Sequence, residues 1–429
     1  MAKKKILILG AGLAGLSAAW HLQKKGISCQ IFEKEALPGG LCRTKSINNF
    51  LFDCDGHLLH FSHPYSFNLV KNLLGDNLAE HERNAWVYSH QRFIPFPFQA
   101  HLNALPSRVA KECREGFIKA QNNGKHLKES ANFAQWIGNT FGSGIARHFM
   151  LPYNRKFWTV PPQELTCDWL DGFISVPSLK QVLDGKRVNL GYNSRFWYPK
   201  EGGIEQLVRA FCREIKDLQT NCAAESIDLK EKEIKFSSGN KEKFDILIST
   251  LSLPELAGII QGIPAPILRH FKNLKWNSIL NLNLGIGKKD SSKRHWIYFP
   301  QKDISFFRVG FYHNFSLSLA PVNKTALYVE VAYSQNISAQ KDKTILRIKN
   351  DLIKAGIIAG SDKILAEDSN DIKYGYPIYD QHYPQSRSAI IKYLKQNNLI
   401  PCGRYGSWQY LSMEGAMLDG RRAARISLQ

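Results

Sequence analysis

The sequence predicts an α/β protein, in which a discontinuous Rossmann-like domain is joined by a helical insertion and an antiparallel β-sheet domain. Two observations predict this class. Near the N-terminus, an apolar strand over 6–9 leads into a glycine-rich turn and an amphipathic helix. Later in the chain, helical periodicity gives way to strand-like alternation and then to a strand and helix near the end. At 429 residues the chain is long enough for two or three domains.

The glycine-rich turn has the spacing of a dinucleotide-binding βαβ unit. Gly10 permits the tight turn, Gly12 lets the backbone approach a pyrophosphate at the helix N-terminus, and Gly15 lets helix and strand pack closely. Glu33 ends the second strand, where a carboxylate accepts hydrogen bonds from ribose hydroxyls and would repel a 2′-phosphate. The predicted binding residues of this unit are Gly10, Gly12, Leu13, Ala14, Gly15 and Glu33.

A second glycine pair follows the strand, in Gly39-Gly40 with Arg43. The pattern E-(x)5-GG-x-x-R resembles the extended fingerprint of the FAD-dependent amine oxidase and protoporphyrinogen oxidase superfamily. The resemblance implies FAD as the cofactor, with both glycines passing close to it and Arg43 reaching a phosphate. The alternative for this segment alone is a surface turn with a solvated arginine.

Composition and charge limit the partners that we expect. Hydrophobic residues make up 44% of the chain, and no apolar run approaches the roughly 20 residues that span a bilayer. Lys and Arg outnumber Asp and Glu by 57 to 37, but they are spread along the chain without a nucleic-acid motif. We therefore expect attraction for anionic ligands and no nucleic-acid partner, with peripheral membrane contact as the lesser alternative.

Cysteine usage and the N-terminus indicate the compartment. The 8 cysteines are scattered without ligand-like spacing to histidine, which favours reduced thiols and no metal site. Lys3–Lys5 lead directly into the first strand, with no signal-peptide pattern. We expect a cytoplasmic protein; its oligomeric state does not follow from the sequence.

The coarse pattern gives the domain boundaries. Residues 64–199 read as a mainly helical insertion, and 276–371 as an antiparallel-sheet substrate domain. The cofactor domain then comprises 1–63, 200–275 and 372–429. Within it we expect a strand ending at Thr250 to rejoin the nucleotide-binding sheet and a closing helix to run to Ile426.

Four later segments indicate which family within this superfamily the chain resembles. They are Asp55-Gly56-His57 with Phe61-Ser62-His63, the run Tyr153–Pro161, Trp296–Pro300 followed by Phe306-Phe307-Arg308, and Gly403–Tyr410. Together with Tyr88, Pro97–Gln99 and Tyr374–Pro377, they resemble the UDP-galactopyranose mutase family, more its eukaryotic-type sequences, along the whole chain and in the same order.

That resemblance implies an isomerase that uses FAD in its reduced form. In the family, flavin N5 attacks the anomeric carbon of a UDP-hexose of the UDP-galactose type and expels UDP. The adduct opens and recloses through another hydroxyl, which interconverts pyranose and furanose forms without net redox change. The implied substrate is a nucleotide sugar, the implied pathway is surface glycan biosynthesis, and NAD(P)H is a candidate reductant.

The resemblance also assigns roles to residues. Arg308 corresponds to a pyrophosphate-binding arginine, Arg404 to one near flavin and substrate, and His57 to a histidine beside the flavin. Further cofactor contacts are expected at Gly56, Gly403 and the Met413 backbone. Substrate contacts are expected at Phe98, Gln99, Asn154, Phe157, Trp158, Asn193, Tyr298, Tyr376 and Tyr410. Taken singly, each of the aromatic residues could equally be a core residue.

One departure from the family's sequence leaves more than one substrate possible. The family carries a second substrate arginine where this chain has Phe173, and losing that cation would weaken binding by about 1.5–3 kcal/mol if nothing replaced it. Candidate replacements are Arg155, Lys156 and Arg195; the alternative is a different substrate. Trp197 is a bulky change in the matching flavin-linked segment.

Two other functions stay open from the sequence. One is an oxidase or desaturase of the same superfamily, acting on an amine or a polycyclic substrate. The other is an FAD-binding protein without chemistry of its own, which the presence of both Arg308 and Arg404 disfavours.

Overall fold

The computed structural model describes residues 4–123, 130–170, 173–184, 190–191, 193–337 and 340–429. Its helices are α1 (Leu13–Gln23), α2 (Pro64–Leu74), α3 (Ser107–Asn122), α4 (Phe133–Ile145), α5 (Leu151–Trp158), α6 (Leu179–Asp184), α7 (Glu205–Glu214), α8 (Leu253–Ile259), α9 (Ala265–Lys272), α10 (Lys341–Lys354), α11 (Tyr383–Gln396), α12 (Gly403–Gly406) and α13 (Met413–Ile426).

The strands lie between these helices, singly or in consecutive groups. They are β1 (Ile6–Leu9), β2 (Gln30–Phe32), β3 (Thr44–Ile47), β4 (Phe50–Asp53), β5 (Ala79–Glu82), β6 (Ala85–Ser89), β7 (Arg92–Pro95), β8 (Arg195–Tyr198), β9 (Leu218–Gln219), β10 (Ala224–Asp228), β11 (Glu233–Phe236), β12 (Lys241–Lys243), β13 (Ile246–Ser249), β14 (Trp276–Ile286), β15 (Trp296–Tyr298), β16 (Arg308–Phe311), β17 (Thr325–Ser334), β18 (Ile364–Pro377) and β19 (Leu399–Pro401).

A five-stranded parallel sheet forms the nucleotide-binding layer, in the order β19-β13-β1-β2-β9. β1 and β13 are buried along their whole length, as expected for central strands of a parallel sheet covered on both faces. The strands come from well-separated parts of the chain, and β13 lies where the sequence predicts the rejoining strand. The predicted α/β class is therefore confirmed; the domain boundaries stay predictions.

A seven-stranded sheet forms the second layer, in the order β18-β14-β17-β16-β15-β6-β7. Its pairings are antiparallel except for the parallel pair β15–β6. Two of its strands, β6 and β7, lie inside the segment that the sequence predicts as mainly helical, and β5 in the same segment pairs with β8. β6 alternates buried and half-buried side chains, but such short strands depend on distant partners that local periodicity does not reveal.

The helices of the insertion pack closely around a core that includes Phe117, Phe133 and Phe141. Close packing of α3 against α4 depends on glycine: a Cβ on Gly144 would lie 2.6 Å from the Cα of Cys113. Among the described residues, none of the helices combines the length and apolarity needed to cross a membrane.

Candidate active site

The glycines in the turn between β1 and α1 allow close backbone contacts that a residue with a Cβ would prevent. Gly10 has a φ of +92°, and a Cβ there would lie 2.2 Å from Oγ1 of Thr250. A Cβ on Gly15 would lie 2.0 Å from the carbonyl oxygen of Gly10. Strand and helix are thereby held close together, and α1, which begins at Leu13, presents its N-terminal amides at the turn, where a pyrophosphate is stabilised.

Glu33 lies beside this turn, directly after β2. Its Oε2 accepts a hydrogen bond from the Ala11 amide at 2.7 Å, and its Oε1 accepts one from the Glu35 amide at 3.0 Å. The side chain is 6% exposed. A buried carboxylate held at the edge of the glycine turn fits the ribose-binding role that the sequence predicts.

The second glycine pair folds back onto the first turn. The amide of Gly39 donates to the Ala11 carbonyl at 2.8 Å, and a Cβ on Gly40 would lie 3.3 Å from the Cα of Gly12. Both Gly39 and Gly40 have positive φ, at +121° and +57°. The segment ending at Arg43, a half-buried residue, therefore forms a second wall of the cofactor cradle.

The C-terminal helices form the remaining wall. A Cβ on Gly403 would lie 2.7 Å from the Cβ of Ala14, and one on Gly420 of α13 would lie 2.4 Å from the Ala14 carbonyl oxygen. Met413 begins α13, and the Ser412 hydroxyl caps that helix by accepting from the Gly415 amide at 3.1 Å. The backbone segments of this cradle meet at glycines, and the buried acid Glu33 lies where a ribose is expected. Both features fit a dinucleotide such as FAD.

Two predicted substrate residues of the second layer, Tyr298 and Arg308, lie in one row of polar groups across the sheet. Tyr298 on β15 lies directly opposite Arg308 on β16, Arg308 opposite Glu330 on β17, and Glu330 opposite Asn281 on β14. Asn281 in turn lies opposite Asn370 on β18 and accepts a hydrogen bond from it at 3.2 Å. Residues directly opposite in a sheet point to the same face, so strand register brings these polar groups together.

Arg308 is held by a carboxyl that the sequence analysis does not identify. Its Nε and Nη2 both donate to Glu330, the second at 2.7 Å, while Nη1 makes no hydrogen bond within the described residues. Glu330 is fully buried, whereas the Arg308 side chain is 20% exposed. The Arg308 guanidinium is therefore fixed in orientation, and its Nη1 is left for a ligand.

A second carboxyl, Asp55, is hydrogen-bonded to Glu330. Burial raises the pKa of Glu330 to about 8, with a contribution from Asp55 and against the opposing effect of Arg308. Asp55 also accepts from Asn281 at 3.3 Å, which joins the His57 turn to the sheet row.

His57 lies in that turn, within electrostatic reach of both arginines. Burial lowers the pKa of His57, and Arg404 and Arg308 lower it further, against the effect of Asp55. Its Nδ1 lies 3.1 Å from the Asp55 carbonyl oxygen, a contact that assigns the ring proton to Nδ1. The imidazole is thus neutral at neutral pH, with Nε2 as an acceptor.

Gly56, predicted to contact the cofactor, makes room for a buried tyrosine. A Cβ there would lie 2.3 Å from Oη of Tyr328, and one on Gly310 would lie 2.1 Å from Cε1 of the same ring. The Arg308 guanidinium carbon lies 5.8 Å from the centre of that ring. Gly56 therefore helps position Arg308, while its contact with cofactor stays a prediction.

Two other predicted substrate residues, Tyr376 and Tyr410, lie around Arg404. Its Nε and Nη2 donate to the Leu411 carbonyl at 2.9 and 2.6 Å. The guanidinium carbon lies 5.0 Å from the ring centre of Tyr376 and 5.7 Å from that of Tyr410. These two rings stack at 5.3 Å. The structure thus brings Arg404, Tyr376 and Tyr410 together, as the motif order predicts.

The residues expected around a uracil ring are largely committed to the protein's own packing. Phe98 and Trp158 are fully buried, and Gln99 is 3% exposed and donates to the Ser175 carbonyl at 2.8 Å. Asn154 donates to the Met150 carbonyl at 2.8 Å. Phe157 is half-buried, with its ring 4.7 Å from that of Tyr376. Their role in substrate binding stays a prediction.

Asn193 is tied to a buried arginine that the sequence analysis does not identify. Its Oδ1 accepts from Nη1 of Arg83, whose Nη2 donates to the Leu190 carbonyl at 2.7 Å. The Arg83 guanidinium lies 4.7 Å from the ring centre of Phe96, which in turn lies 5.1 Å from that of Tyr298. A single arginine between two short strands carries no motif, so only the fold reveals it.

Two of the three candidate replacements for the missing arginine are engaged elsewhere. The Lys156 ammonium donates to four backbone carbonyls, those of Phe299, Gln301, Ile304 and Phe306. Arg195 pairs with Glu80 on the surface at 3.0 Å. Arg155 is exposed, and its role as a replacement stays a prediction.

Comparison with known proteins gives the family. A sequence profile described as flavin-containing amine oxidoreductase matches residues 13–352. A crystal structure of reduced UDP-galactopyranose mutase superposes with a TM-score of 0.93 at 25% identity, covering 99% of this chain and 95% of that one.

Two curated relatives are similar over shorter stretches. UDP-galactopyranose mutase of Mycoplasma pneumoniae is 22% identical over 251 residues, which is 55% of this chain and 59% of the relative. The 4,4'-diapolycopene oxygenase of Methylomonas sp is 33% identical over 89 residues, which is 21% of this chain and 18% of the relative. Both matches cover less than two thirds of the relative's length.

The profile match covers most of the chain, and the glycine cradle fits the cofactor that the family name implies. The fold agrees along nearly its whole length with that of the reduced mutase. The chain therefore belongs to the flavin-containing amine oxidoreductase family, within which it is a UDP-galactopyranose mutase-like protein.

Proposed function

We propose that the protein is a nucleotide-sugar mutase that interconverts the pyranose and furanose forms of a UDP-hexose with reduced FAD, for surface glycan biosynthesis. One observation supports this more than any other. Arg308, from the sheet, and Arg404, from the C-terminal region, both act electrostatically on Tyr376 and Tyr410. Two arginines and two phenols around one space suit a diphosphate leaving group.

The residues have separate tasks in this proposal. Arg308, oriented by Glu330, donates through Nη1 to the diphosphate, and the hydroxyls of Tyr376 and Tyr410 donate without adding charge. Arg404 holds the sugar end beside the cofactor. His57, neutral with Nε2 as an acceptor, can receive the proton of the sugar hydroxyl that attacks the open-chain carbon during ring closure. Bound reduced FAD would supply the nucleophile toward the anomeric carbon.

The cofactor would be held by residues already described. The pyrophosphate would meet the N-terminus of α1 at Gly12, the ribose hydroxyls would meet Glu33, and Arg43 would reach a phosphate. Gly403 and the start of α13 at Met413 would lie along the flavin. Because the cycle has no net redox change, NAD(P)H or another reductant would be needed only to bring FAD into its active state.

The test is a substrate panel. Dithionite-reduced protein is incubated without oxygen with UDP-, dTDP- and GDP-hexoses, and products are separated chromatographically. Ring-isomerised product from a UDP-hexose supports the proposal. No isomerised product from any sugar nucleotide, together with steady oxygen uptake on an amine, would refute it.

A second candidate function is an FAD-dependent oxidase or desaturase. Similarity to a carotenoid oxygenase over 89 residues favours it, as does the apolar Phe173 where a nucleotide-sugar mutase is expected to carry a cation. An oxidoreductase would consume an electron acceptor in proportion to product, which a separate assay in the presence of oxygen and an amine measures through oxygen uptake.

A further inference from the structure

The Lys156 ammonium, on α5, is surrounded by backbone carbonyls of the loop that joins β15 to β16. Its Nζ lies 2.8 Å from the carbonyl oxygen of Phe299, 2.9 Å from that of Ile304 and 3.0 Å from that of Phe306, and the carbonyl of Gln301 is the fourth acceptor. We call these four oxygens the carbonyl cage. An ammonium has three N–H donors, so four convergent oxygens resemble the coordination of a monovalent cation by carbonyls.

The carbonyl cage is buried and requires a positive charge. Phe299, Ile304 and Phe306 are at most 2% exposed, and buried carbonyl oxygens that converge on one point are unfavourable unless a donor or a cation lies between them. The ammonium is therefore a determinant of the loop's shape. On its outer side the loop is also held by Asp351, which accepts from the Ser305 amide at 2.7 Å. Loss of the ammonium should therefore reshape the loop without unfolding it.

The loop connects directly to Arg308. The Phe299 amide donates to the Phe307 carbonyl at 2.9 Å, and the Phe307 amide donates to the Glu330 carbonyl at 3.0 Å. The next pair away from the loop is Tyr298 opposite Arg308. The shape of the loop therefore determines where β16 begins, and with it the position of Arg308 beside Glu330.

Lys156 also joins the helical insertion to the sheet. It lies on α5 between Tyr153, whose ring is 5.4 Å from that of Tyr298, and Phe157, whose ring is 4.7 Å from that of Tyr376. Tyr298 and Tyr376 are both predicted substrate residues. The bonds from Lys156 to the loop therefore hold two rings of α5 against the candidate active site.

We propose that Lys156 is a positioning residue for substrate binding: its ammonium sets the shape of the β15–β16 loop, and through this loop the orientation of Arg308 toward the ligand. The inference rests on the proposed function, since Arg308 is taken as the arginine that binds the diphosphate. It gives Lys156 a role other than replacing the missing arginine, because the loop carbonyls engage its donors.

The test is cation rescue of UDP binding to the FAD-loaded protein, measured by calorimetry and by the change in flavin absorbance. Burial lowers the pKa of Lys156 to about 7, with Arg347 acting in the same direction and Asp303 and Asp351 in the opposite one. Binding is therefore measured at pH 6, where the ammonium is charged. The chloride salts of K⁺, NH₄⁺, Na⁺ and choline are compared at equal ionic strength.

Three variants carry the comparison. Lys156→Ala empties the carbonyl cage, and Lys156→Arg fills it with a planar cation. Lys354→Ala is the matched control, because it removes a lysine that pairs with Asp303 of the same loop at 2.6 Å and is 54% exposed. Melting temperature and FAD content show whether each variant is folded.

In sodium or choline chloride we expect Lys156→Ala to bind UDP about ten- to a hundredfold more weakly than the parent, the range that a small misplacement of a binding group can cost. K⁺ and NH₄⁺, which suit a set of carbonyl oxygens better than Na⁺ does, should restore most of this affinity. They should change neither the parent nor Lys156→Arg. Lys156→Arg should bind UDP several-fold more weakly, because a planar guanidinium does not match four convergent oxygens. Lys354→Ala should bind as the parent does.

A double-mutant cycle with Arg308→Lys shows whether Lys156 acts through Arg308. If it does, Lys156→Ala should weaken UDP binding much less in the Arg308→Lys protein than in the parent. Additive losses would mean that Lys156 stabilises the fold without positioning Arg308, and would overturn the inference.

Other results would also overturn it. Unchanged UDP affinity in folded, FAD-loaded Lys156→Ala, with UDP binding still lost in Arg308→Ala, refutes the inference while the proposed function stands. A weakened Lys156→Ala that responds equally to all four salts contradicts the carbonyl cage as the cause. If Lys156→Ala does not retain FAD, Lys156→Arg decides, and a UDP affinity equal to the parent's refutes the inference. If the parent binds no UDP, the proposed function fails and the inference fails with it.

Discussion

Arg308 and Glu330 lie directly opposite each other on β16 and β17, and the carboxyl binds two of the three guanidinium nitrogens. The remaining nitrogen is the one that a diphosphate would meet. The proposed substrate site therefore depends on a buried acid as much as on the arginine, and Asp55, hydrogen-bonded to the same acid, extends this dependence to the His57 turn.

Replacing Glu330 should destabilise the protein measurably. Glu330→Ala leaves Nε and Nη2 of Arg308 without their acceptor, and we expect the free energy of unfolding to fall by about 3 kcal/mol, the upper end for an unsatisfied buried polar group. Urea denaturation of the holoprotein measures this. Glu367→Ala, which breaks a half-exposed pair with Lys349, is the control and should cost less than about 1 kcal/mol. Equal losses in the two variants would contradict this prediction.

Stability should depend on pH through the same carboxyl. The pKa of Glu330 is raised by burial from 4.5 to about 8, so between these values the folded state holds a proton that the unfolded state has released. Its contribution is therefore fully present below about pH 4.5 and is lost as the pH rises through 8. Glu330→Gln should flatten the fall in melting temperature over this window. Parallel pH profiles for the two proteins would count against the assignment.

Nucleotide binding should depend on the several N–H donors of the Arg308 guanidinium. Arg308→Lys keeps the charge but cannot bind Glu330 and a diphosphate together, so UDP affinity should fall by about 1.5–3 kcal/mol. Arg308→Ala should abolish the flavin absorbance change that UDP causes in the parent. Lys349→Ala, on the far helix α10, is the control. An unaltered UDP titration of Arg308→Ala would show that this arginine is not at the site.

Cofactor retention should depend on Gly15. A Cβ there would lie 2.0 Å from the Gly10 carbonyl oxygen, so Gly15→Ala must push α1 away from β1 and spoil the pyrophosphate position. We expect loss of FAD on purification, measured by the ratio of flavin to protein absorbance. Gly138→Ala, in α4 with nothing within 4 Å of the new Cβ, should keep full FAD. Full occupancy in Gly15→Ala would contradict the cradle described above.

The cofactor cradle could be predicted from sequence because its determinants are local. Gly10, Gly12 and Gly15 lie within one turn and helix, and Glu33 ends the next strand, so spacing alone indicates their proximity. The second glycine pair at 39 and 40 follows within the same unit. The structure places each of these groups where the pattern indicates.

The supporting residues of the substrate site could not be predicted, because their roles depend on pairing between distant segments. Glu330 sits in an alternating strand and has the pattern of an ordinary solvent-facing acid. Arg83 carries no motif, and it gains its role only when other segments pack beside it. The sequence does not predict β6 and β7 for the same reason: β7 pairs with β6, and β6 joins the sheet through β15, some two hundred residues further on in the chain and beyond any local window.

In the proposed mutase reaction FAD undergoes no net redox change, and the number of turnovers per reduced flavin measures this. Protein reduced with one equivalent of dithionite is held without oxygen with excess UDP-hexose, while product and flavin absorbance are followed together. The account predicts many isomerised molecules per flavin, with the flavin still reduced at the end. One product molecule or fewer per flavin, with reoxidation of the flavin in step with product, would contradict it and favour an oxidoreductase.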